Sequence, residues 1–221
     1  MIGDEPELRL DGYLDRRVAA EFLTALAATS GPRLVIRINS PGGHVHEAVA
    51  VYEAIRRRAG HVTAVVDGMA ASAASFVLQA ADYRVISPHA QMMIHEAAGG
   101  AAGNAAEHRR YAANMERVSA VIANIYADRA GGHPRTWRAL MLAETWYTPT
   151  EAVDAGLADA IDRSHTPDHT AAAAFDLSRF IYPGRVAAPA PRAPYLHTIA
   201  VASARRRRRN AHRTRKNGAP T

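Results

Sequence analysis

Short β-branched segments alternate with amphipathic helical patterns through the first 162 residues of this chain. The segments with the apolar, branched character of strands are 8–10, 34–38, 62–66, 84–86 and 92–94. Between the first two, Asp15 is placed to cap a helix that carries Val18, Phe22 and Leu26 on one face. A second helical pattern follows over residues 45–55. Strands that alternate with helices form βαβ units, so the sequence predicts an α/β fold with a mainly parallel sheet.

Two further helices are predicted in the same region. Residues 71–81 are apolar on every side, which is typical of a helix buried inside a domain. Residues 105–130 form the longest pattern, with Asn104 and Glu107 at the spacing of a capping box and Gly131 at the end. Its narrow apolar stripe fits either packing on its own domain or a helix that projects to meet another subunit.

The composition changes after Asp162. Residues 163–221 contain 12 of the 27 Lys and Arg residues but two of the 21 Asp and Glu residues, a net charge of +10 that leaves −4 for residues 1–162. An acidic folded region is not typical of a basic nucleic-acid-binding domain. The Pro-, Ala- and Arg-rich remainder cannot bury enough apolar surface to fold. We therefore expect a domain at 1–162 and a mostly flexible basic tail at 163–221, of which residues 175–182 dock as a short segment.

Composition also restricts the chemistry and the location. The chain has no cysteine, which excludes disulfides, thiolate catalysis and cysteine-bound metal. His44 and His46 lie two residues apart on a predicted helix and point to different sides, so no shared metal is expected. The start of the chain lacks a signal-peptide pattern, and the apolar segment 68–81 is shorter than the roughly 20 residues of a membrane span. We expect a cytoplasmic protein without a membrane partner.

Three segments have residues suited to catalysis, although each also has a plain structural interpretation. Residues 39–43 run from a strand into a glycine turn, where free N–H groups favour negative charge. Ser72 lies among small residues at the start of a predicted helix, which leaves room for a substrate carbonyl beside the next N–H group. His95 ends a hydrophobic strand, where a neutral imidazole can accept a proton.

These segments follow one another in a defined order. The sequence INSPGG ends at Gly43, AAS places Ser72 29 residues further on, and MIH ends at His95. A closing segment, ETWYTPTEAVDAGLAD, begins at Glu144. Together these motifs resemble the Clp protease proteolytic subunit over roughly residues 7–162. DGMAASAAS and ETWYTPTEAV are most similar to the branch of phage head-maturation proteases.

The resemblance implies a fold of repeated βαβ units like that of Clp proteases and crotonases, with residues 105–130 as a projecting handle helix that joins two rings. It implies a serine endopeptidase that acts on polypeptides, forms a homo-oligomeric ring and requires neither a metal nor a cofactor. An AAA+ unfoldase, or capsid and scaffold proteins, are the further partners that it suggests. Because the segment before the first strand is short, we expect the axial loops that help to dock an ATPase to be missing. Lys216 is the only lysine, so the chain has no Walker A loop of its own.

The family also implies a role for each matching residue. Ser72 corresponds to the nucleophile and His95 to the general base, while the backbone N–H groups of Gly43 and Ala73 would form the oxyanion hole. Glu144 stands where housekeeping members usually have the aspartate of the triad, and its extra methylene changes the geometry. Ser75, one helical turn beyond Ser72, is the alternative nucleophile. Residues 97–103 would be the lip that pairs with the substrate backbone.

Other functions remain open at this point. A crotonase-like acyl-CoA enzyme shares the architecture but would not need the pair Ser72 and His95. A serine–lysine mechanism, as in relatives of signal-peptide peptidases, is excluded because residues 1–162 contain no lysine. A ring or capsid scaffold with an inactive site is a further alternative. The arginine run at 205–209 offers nonspecific charge to nucleic acid, although a solvated tail is the simpler interpretation.

Overall fold

The computed structural model describes residues 5–162, 175–189 and 191. Within these residues, seven strands form one sheet and six α-helices pack around it. The strands are β1 (Glu7–Asp11), β2 (Arg33–Ser40), β3 (His61–Ala71), β4 (Tyr83–Ile86), β5 (Gln91–Ile94), β6 (Thr145–Tyr147) and β7 (Ala160–Ile161). The helices are α1 (Arg16–Ala28), α2 (Val45–Arg57), α3 (Ala73–Val77), α4 (Ala105–Ala130), α5 (Pro134–Leu142) and α6 (Pro149–Asp154).

The sheet is mainly parallel, as the alternation of elements predicted. Its central path runs in the order β1-β2-β3-β4-β7, and all of these pairs are parallel. Leu10 lies opposite Ile38, and Ile38 lies opposite Val66, so the hydrophobic positions of successive strands are aligned. The predicted α/β class is therefore confirmed.

Strand β3 changes partners along its length, and this change brings the ends of two strands together. Its first half pairs with β4, and its last residues, Met69 to Ala71, pair in parallel with β5. Strand β6 then adds to β5 in antiparallel orientation. Two strands consequently end side by side, directly before Ser72 and His95.

The predicted helix over residues 71–81 was wrong in its extent. Ala71 still belongs to β3, α3 covers only Ala73–Val77, and a 3-10 turn at Leu78–Ala80 follows. A run of small apolar residues fits a buried strand and a buried helix equally well, because both bury all their side chains and neither shows a polar face. The sheet pairing between Ala71 and Met93 decides the conformation.

The core joins the sheet to its helices through large buried side chains. Phe22, Ile55 and Phe76 bring α1, α2 and α3 into one hydrophobic cluster, and Tyr126 with Trp137 adds α4 and α5. Because protein interiors are closely packed, these side chains leave little freedom for the strands that end at the site.

Helix α4 begins and ends where the sequence predicted. Asn104 and Glu107 form a reciprocal capping box, and Gly131 follows the last turn with a φ of 89°. The buried residues of α4 begin at Ser119, so its first half extends away from the domain core, as expected for a handle. In the part of the chain that the structure describes, no helix is long and apolar enough to cross a membrane.

Candidate active site

Ser72 lies at the junction of β3 and α3, where it is the N-cap residue of the helix. Its backbone has a φ of 52° and a ψ of −122°, a conformation that non-glycine residues rarely adopt. The Ser72 amide donates to the carbonyl of Met93 at 2.9 Å, which fixes the junction against β5. Ala71 and Ala73 are buried, whereas Ser72 between them is partly exposed. Such strain persists where the surrounding structure enforces it, and it is frequent at catalytic residues.

His95 follows the last residue of β5 and meets Ser72 directly. Its Nε2 lies 2.7 Å from Ser72 Oγ, a hydrogen bond between residues 23 positions apart. Burial lowers the pKa of His95, and the charges of Glu144 and Glu96 partly oppose that shift. The imidazole is therefore neutral near pH 7 and can accept the proton of Ser72.

The glycine turn packs against Ser72. Ser40 Oγ donates to the Gly12 carbonyl at 2.6 Å and accepts from the Gly42 amide at 3.1 Å, which holds the turn. A methyl group on Gly42 would lie 2.7 Å from Ser72 Cβ, and the φ of Gly42 is 91°. Only glycine therefore allows the turn to approach the serine so closely.

Two backbone amides beside this contact are available as donors. Leu14 pairs with the turn through the Gly42 carbonyl and the His44 amide, which leaves the Gly43 amide without an acceptor among the described residues. Ala73 is the first residue of α3, where an N–H group has no partner within the helix. Negative charge that develops near Ser72 would meet both groups.

Ser75 occupies a different environment. Its side chain is fully buried, donates to the Ser72 carbonyl at 2.5 Å and lies 2.7 Å from the hydroxyl of Tyr126. These contacts join α3 to α4 and leave the hydroxyl away from His95. Ser75 therefore has a packing position, and Ser72 alone of the two serines contacts the imidazole.

Glu144 is buried close to His95 but has other partners. Like Ser72, Glu144 has a positive φ, 47°, and it lies in the loop between α5 and β6. Its carboxylate accepts hydrogen bonds from Trp146 Nε1 at 3.2 Å, from the Ile181 amide at 2.7 Å and from the Tyr182 amide at 2.6 Å. Among the described residues no hydrogen bond joins it to His95, although its charge raises the His95 pKa.

Residues 175–188, here called the strap, lie across this region. Phe180 packs edge-to-face on the His95 ring at 5.5 Å and on Trp146 at 6.0 Å. Ala188 is buried with Ala71 and Met93. The sequence predicted docking of residues 175–182 from their apolar character, and the structure extends the contact to Ala188. No pattern in the sequence indicated that the strap meets His95 and Glu144.

Residues 97–103, the predicted lip, lie between β5 and α4 without strand structure and are mostly exposed. The Ala97 amide donates to Ser119 Oγ at 2.9 Å, which ties the start of the segment to α4. In the ranges 5–162 and 175–189, no group of three acidic or histidine side chains could hold a metal ion.

Comparison with known proteins agrees with this geometry. The family model described as Clp protease matches residues 7–165. The chain belongs to the Clp protease family. Three curated relatives are named ATP-dependent Clp protease proteolytic subunit. The one from Chlorella vulgaris is 32% identical over 69% of this chain and 77% of its own length. Those from Bacteroides fragilis and Streptomyces coelicolor, the latter called subunit 3, are 31% and 30% identical over 69% and 71% of this chain, and over 75% and 73% of their own lengths.

Membership in the Clp protease family places the chain among the peptidases, which are hydrolases. It confirms the family resemblance predicted from the motifs around Gly43, Ser72, His95 and Glu144. The closer resemblance to phage head-maturation proteases stays a prediction. In this Clp-family chain, the arrangement provides a hydroxyl, a neutral imidazole and two free amides within one small region, which are the groups that acyl transfer needs.

Proposed function

We propose that this protein is a serine endopeptidase that hydrolyses polypeptides through an acyl-enzyme on Ser72. The observation that carries the proposal is the 2.7 Å contact between Ser72 Oγ and His95 Nε2, made by a histidine whose pKa is lowered by burial. A serine hydroxyl is a weak nucleophile at neutral pH and needs an adjacent base. A crotonase-like enzyme or an inactive scaffold would have no need for this contact.

The reaction begins when Ser72 Oγ attacks the carbonyl carbon of the scissile peptide bond. The hydroxyl proton passes to His95 Nε2 as the new C–O bond forms, and His95 then gives that proton to the leaving nitrogen as the C–N bond breaks. Water attacks the resulting ester, again with His95 as base. The proton returns to Ser72 Oγ when the acid product leaves.

The amides of Gly43 and Ala73 form the oxyanion hole in this scheme. They flank the point where the glycine turn approaches Ser72, and both have free N–H groups as described above. Donors that are fixed before the reaction stabilise the tetrahedral intermediate without reorganisation. No metal or cofactor takes part in any step.

Glu144 is the third triad member in the proposal, acting as acceptor for the Nδ1–H of His95. It is 4% exposed and near enough to raise the pKa of His95. A buried carboxylate in this position holds the imidazole in the useful tautomer and stabilises the imidazolium. Its carboxylate is now held by Trp146, Ile181 and Tyr182, so it has to turn toward His95 to act in this way.

The substrates are polypeptides that bind in extended form beside residues 97–103, where backbone outside the sheet is exposed. The protein forms homo-oligomeric rings, and the exposed first half of α4 serves as the contact that joins two rings. A phage-type maturation protease would act on capsid or scaffold proteins, and a Clp-like subunit would receive chains from an AAA+ unfoldase. The two roles use the same site chemistry.

The direct test is peptide hydrolysis by the purified full chain and its Ser72→Ala variant. We expect Ser72→Ala to reduce kcat/KM by about 10⁴-fold or more, as removal of a triad nucleophile does. Ser30→Ala, at an exposed position beyond α1, is the matched control and should be unchanged. Equal activity of Ser72→Ala and the wild type would overturn the proposal.

A further inference from the structure

The strap crosses the site from one side to the other. Arg179 Nη1 donates to the Tyr13 hydroxyl at 3.3 Å and its guanidinium lies 5.8 Å from the centre of the Tyr13 ring. Tyr13 in turn packs edge-to-face on His44, the residue after Gly43. Arg179 therefore lies near the glycine turn. Phe180, the residue that follows it in the strap, lies against His95.

The glycine turn and His95 both contact Ser72, so the strap residues near them lie in the neighbourhood of the serine. Gly42 would place a methyl group 2.7 Å from Ser72 Cβ, and His95 Nε2 lies 2.7 Å from Ser72 Oγ. Ser72 keeps partial exposure, so the strap restricts access without sealing the site.

The strap also takes the acceptor that the proposed triad needs. The amides of Ile181 and Tyr182 bind one carboxylate oxygen of Glu144 each, at 2.7 and 2.6 Å, and Trp146 adds a third donor. Hydrogen bonds to an ionised carboxylate are about twice as strong as neutral ones. While they persist, Glu144 is oriented toward the strap, and the imidazole of His95 lacks it as a partner.

A partly buried ion pair anchors the C-terminal part of the strap. Arg185 binds Glu151 through two parallel contacts, Nε to Oε2 at 3.0 Å and Nη2 to Oε1 at 2.7 Å. Arg185 Nη1 also donates to the carbonyl of Ala188, whose side chain is buried against the end of β3. The side chains of Ile181 and Val186, by contrast, are 73% and 104% exposed.

From these contacts we propose that residues 175–188 are an autoinhibitory strap, which holds the site inactive by packing on His95 and binding Glu144, and whose displacement activates the peptidase. This inference rests on the proposed function. Displacement would free two acceptor positions on Glu144, expose the His95 ring and open the approach to Ser72 in a single step. If only a minority of the molecules are in the active conformation, the measured activity is the full activity multiplied by that fraction.

The sharpest test removes one hydrogen bond of the strap while keeping its side-chain packing. Ile181→Pro lacks the amide that binds Glu144 Oε2, whereas Ile181→Ala keeps it and changes only an exposed side chain. Phe180→Ala and Arg185→Ala remove the two side-chain anchors. Val186→Ala, at a fully exposed position, is the control for substitution in the strap.

The measurement is the rate at which a fluorophosphonate probe labels Ser72 in each full-length variant. We expect Ile181→Pro, Phe180→Ala and Arg185→Ala to label about 10-fold faster than the wild type or more, and Ile181→Ala and Val186→Ala to match the wild type. A synthetic peptide of residues 175–188 should slow labelling of the Arg185→Ala variant. In these three strap variants, the acid limb of the labelling rate should also lie at higher pH than in the wild type. His95 becomes less buried there and gains Glu144 as a partner, and both changes raise its pKa.

The outcomes separate the two proposals. Equal, measurable labelling of Ser72 in the wild type and in all three strap variants would overturn the strap and leave the peptidase proposal standing. Slower labelling of the strap variants would also overturn it, because the strap would then support the site. Absence of labelling in every variant, with each protein folded by circular dichroism, would overturn both.

Discussion

Ser72 and His95 contact each other because two parallel strands end side by side. Ala71 lies opposite Met93 in the pairing of β3 with β5, and the next residues of the two chains bring Oγ within 2.7 Å of Nε2. The geometry of the pair is therefore set by the pairing of these two strands. The positive φ of Ser72 turns the chain from strand to helix at this point.

The first prediction concerns His95 as the general base. His95→Ala should lower kcat/KM for peptide hydrolysis by roughly 10⁴-fold, because Ser72 then has no group to take its proton. His89, an exposed histidine before β5, provides the control, and His89→Ala should keep wild-type kinetics. A His95→Ala variant with more than about a tenth of the wild-type rate would contradict the assignment.

The second prediction concerns the pH dependence. Burial lowers the pKa of His95 from 6.5, and the carboxylates of Glu144 and Glu96 raise it again in part. The base has to be neutral, so kcat/KM should fall only below pH 6.5. Glu96→Gln removes one negative charge that raises the His95 pKa, and this change favours the neutral imidazole.

The acid limb of kcat/KM should consequently move to lower pH in Glu96→Gln. Glu21→Gln, which removes an exposed carboxylate of α1, should leave it in place. The pH profiles of the three proteins, measured with one peptide substrate, decide the point. A shift of the acid limb to higher pH in Glu96→Gln would contradict this assignment, because removal of a carboxylate that raises the His95 pKa should lower that pKa.

The third prediction tests the glycine turn. A Cβ on Gly42 would lie 2.7 Å from Ser72 Cβ and from the backbone of Ala71 and Ala73, at a φ of 91°. Gly42→Ala should therefore cost about 1–3 kcal/mol of stability and reduce fluorophosphonate labelling of Ser72 at least about 10²-fold. Denaturant unfolding and labelling rates measure the two effects.

Gly31 is the matched control for Gly42. It also has a positive φ, 113°, but its Cβ would meet nothing within 4 Å. Gly31→Ala should lose about 1 kcal/mol from the backbone alone and keep the labelling rate. Equal loss of labelling in both variants would show that general destabilisation, and not the contact with Ser72, is responsible.

The fourth prediction separates Ser75 from the chemistry. Tyr126 is fully buried against the Ser75 hydroxyl, and burial raises the pKa of Tyr126 far above 10. Tyr126→Phe should cost about 0.5–1.5 kcal/mol of unfolding free energy and leave labelling of Ser72 unchanged. Tyr83→Phe, at an exposed tyrosine, should change neither quantity. Loss of labelling in a folded Tyr126→Phe protein would implicate this pair in the reaction.

Much of the fold is readable from the sequence, because its elements follow strong local rules. The caps at Asp15 and Asn104, the glycine end of α4 and the strands around Ile36 and Val65 all appear where the pattern predicted them. The helices α5 and α6 and the strands β6 and β7 were not predicted, and the conformation was wrong in the stretch after Val66. Small apolar residues there suit strand and helix alike, and only the distant partner β5 determines that β3 continues to Ala71.

The site was predictable in part. The order of the motifs indicated Ser72 and His95 through their resemblance to Clp protease subunits. The partners of Glu144 could not be predicted. They are main-chain amides of Ile181 and Tyr182, and amide contacts leave no signature in the identity of the residues that make them.

The most direct measurement of the central claim is the site of covalent modification. The full-length protein is treated with a fluorophosphonate, digested and analysed by mass spectrometry, with a His95→Ala sample in parallel. The account predicts a single adduct on Ser72 in the wild type and its near absence in His95→Ala. An adduct on Ser75 or another serine, or equal modification of Ser72 without His95, would contradict it.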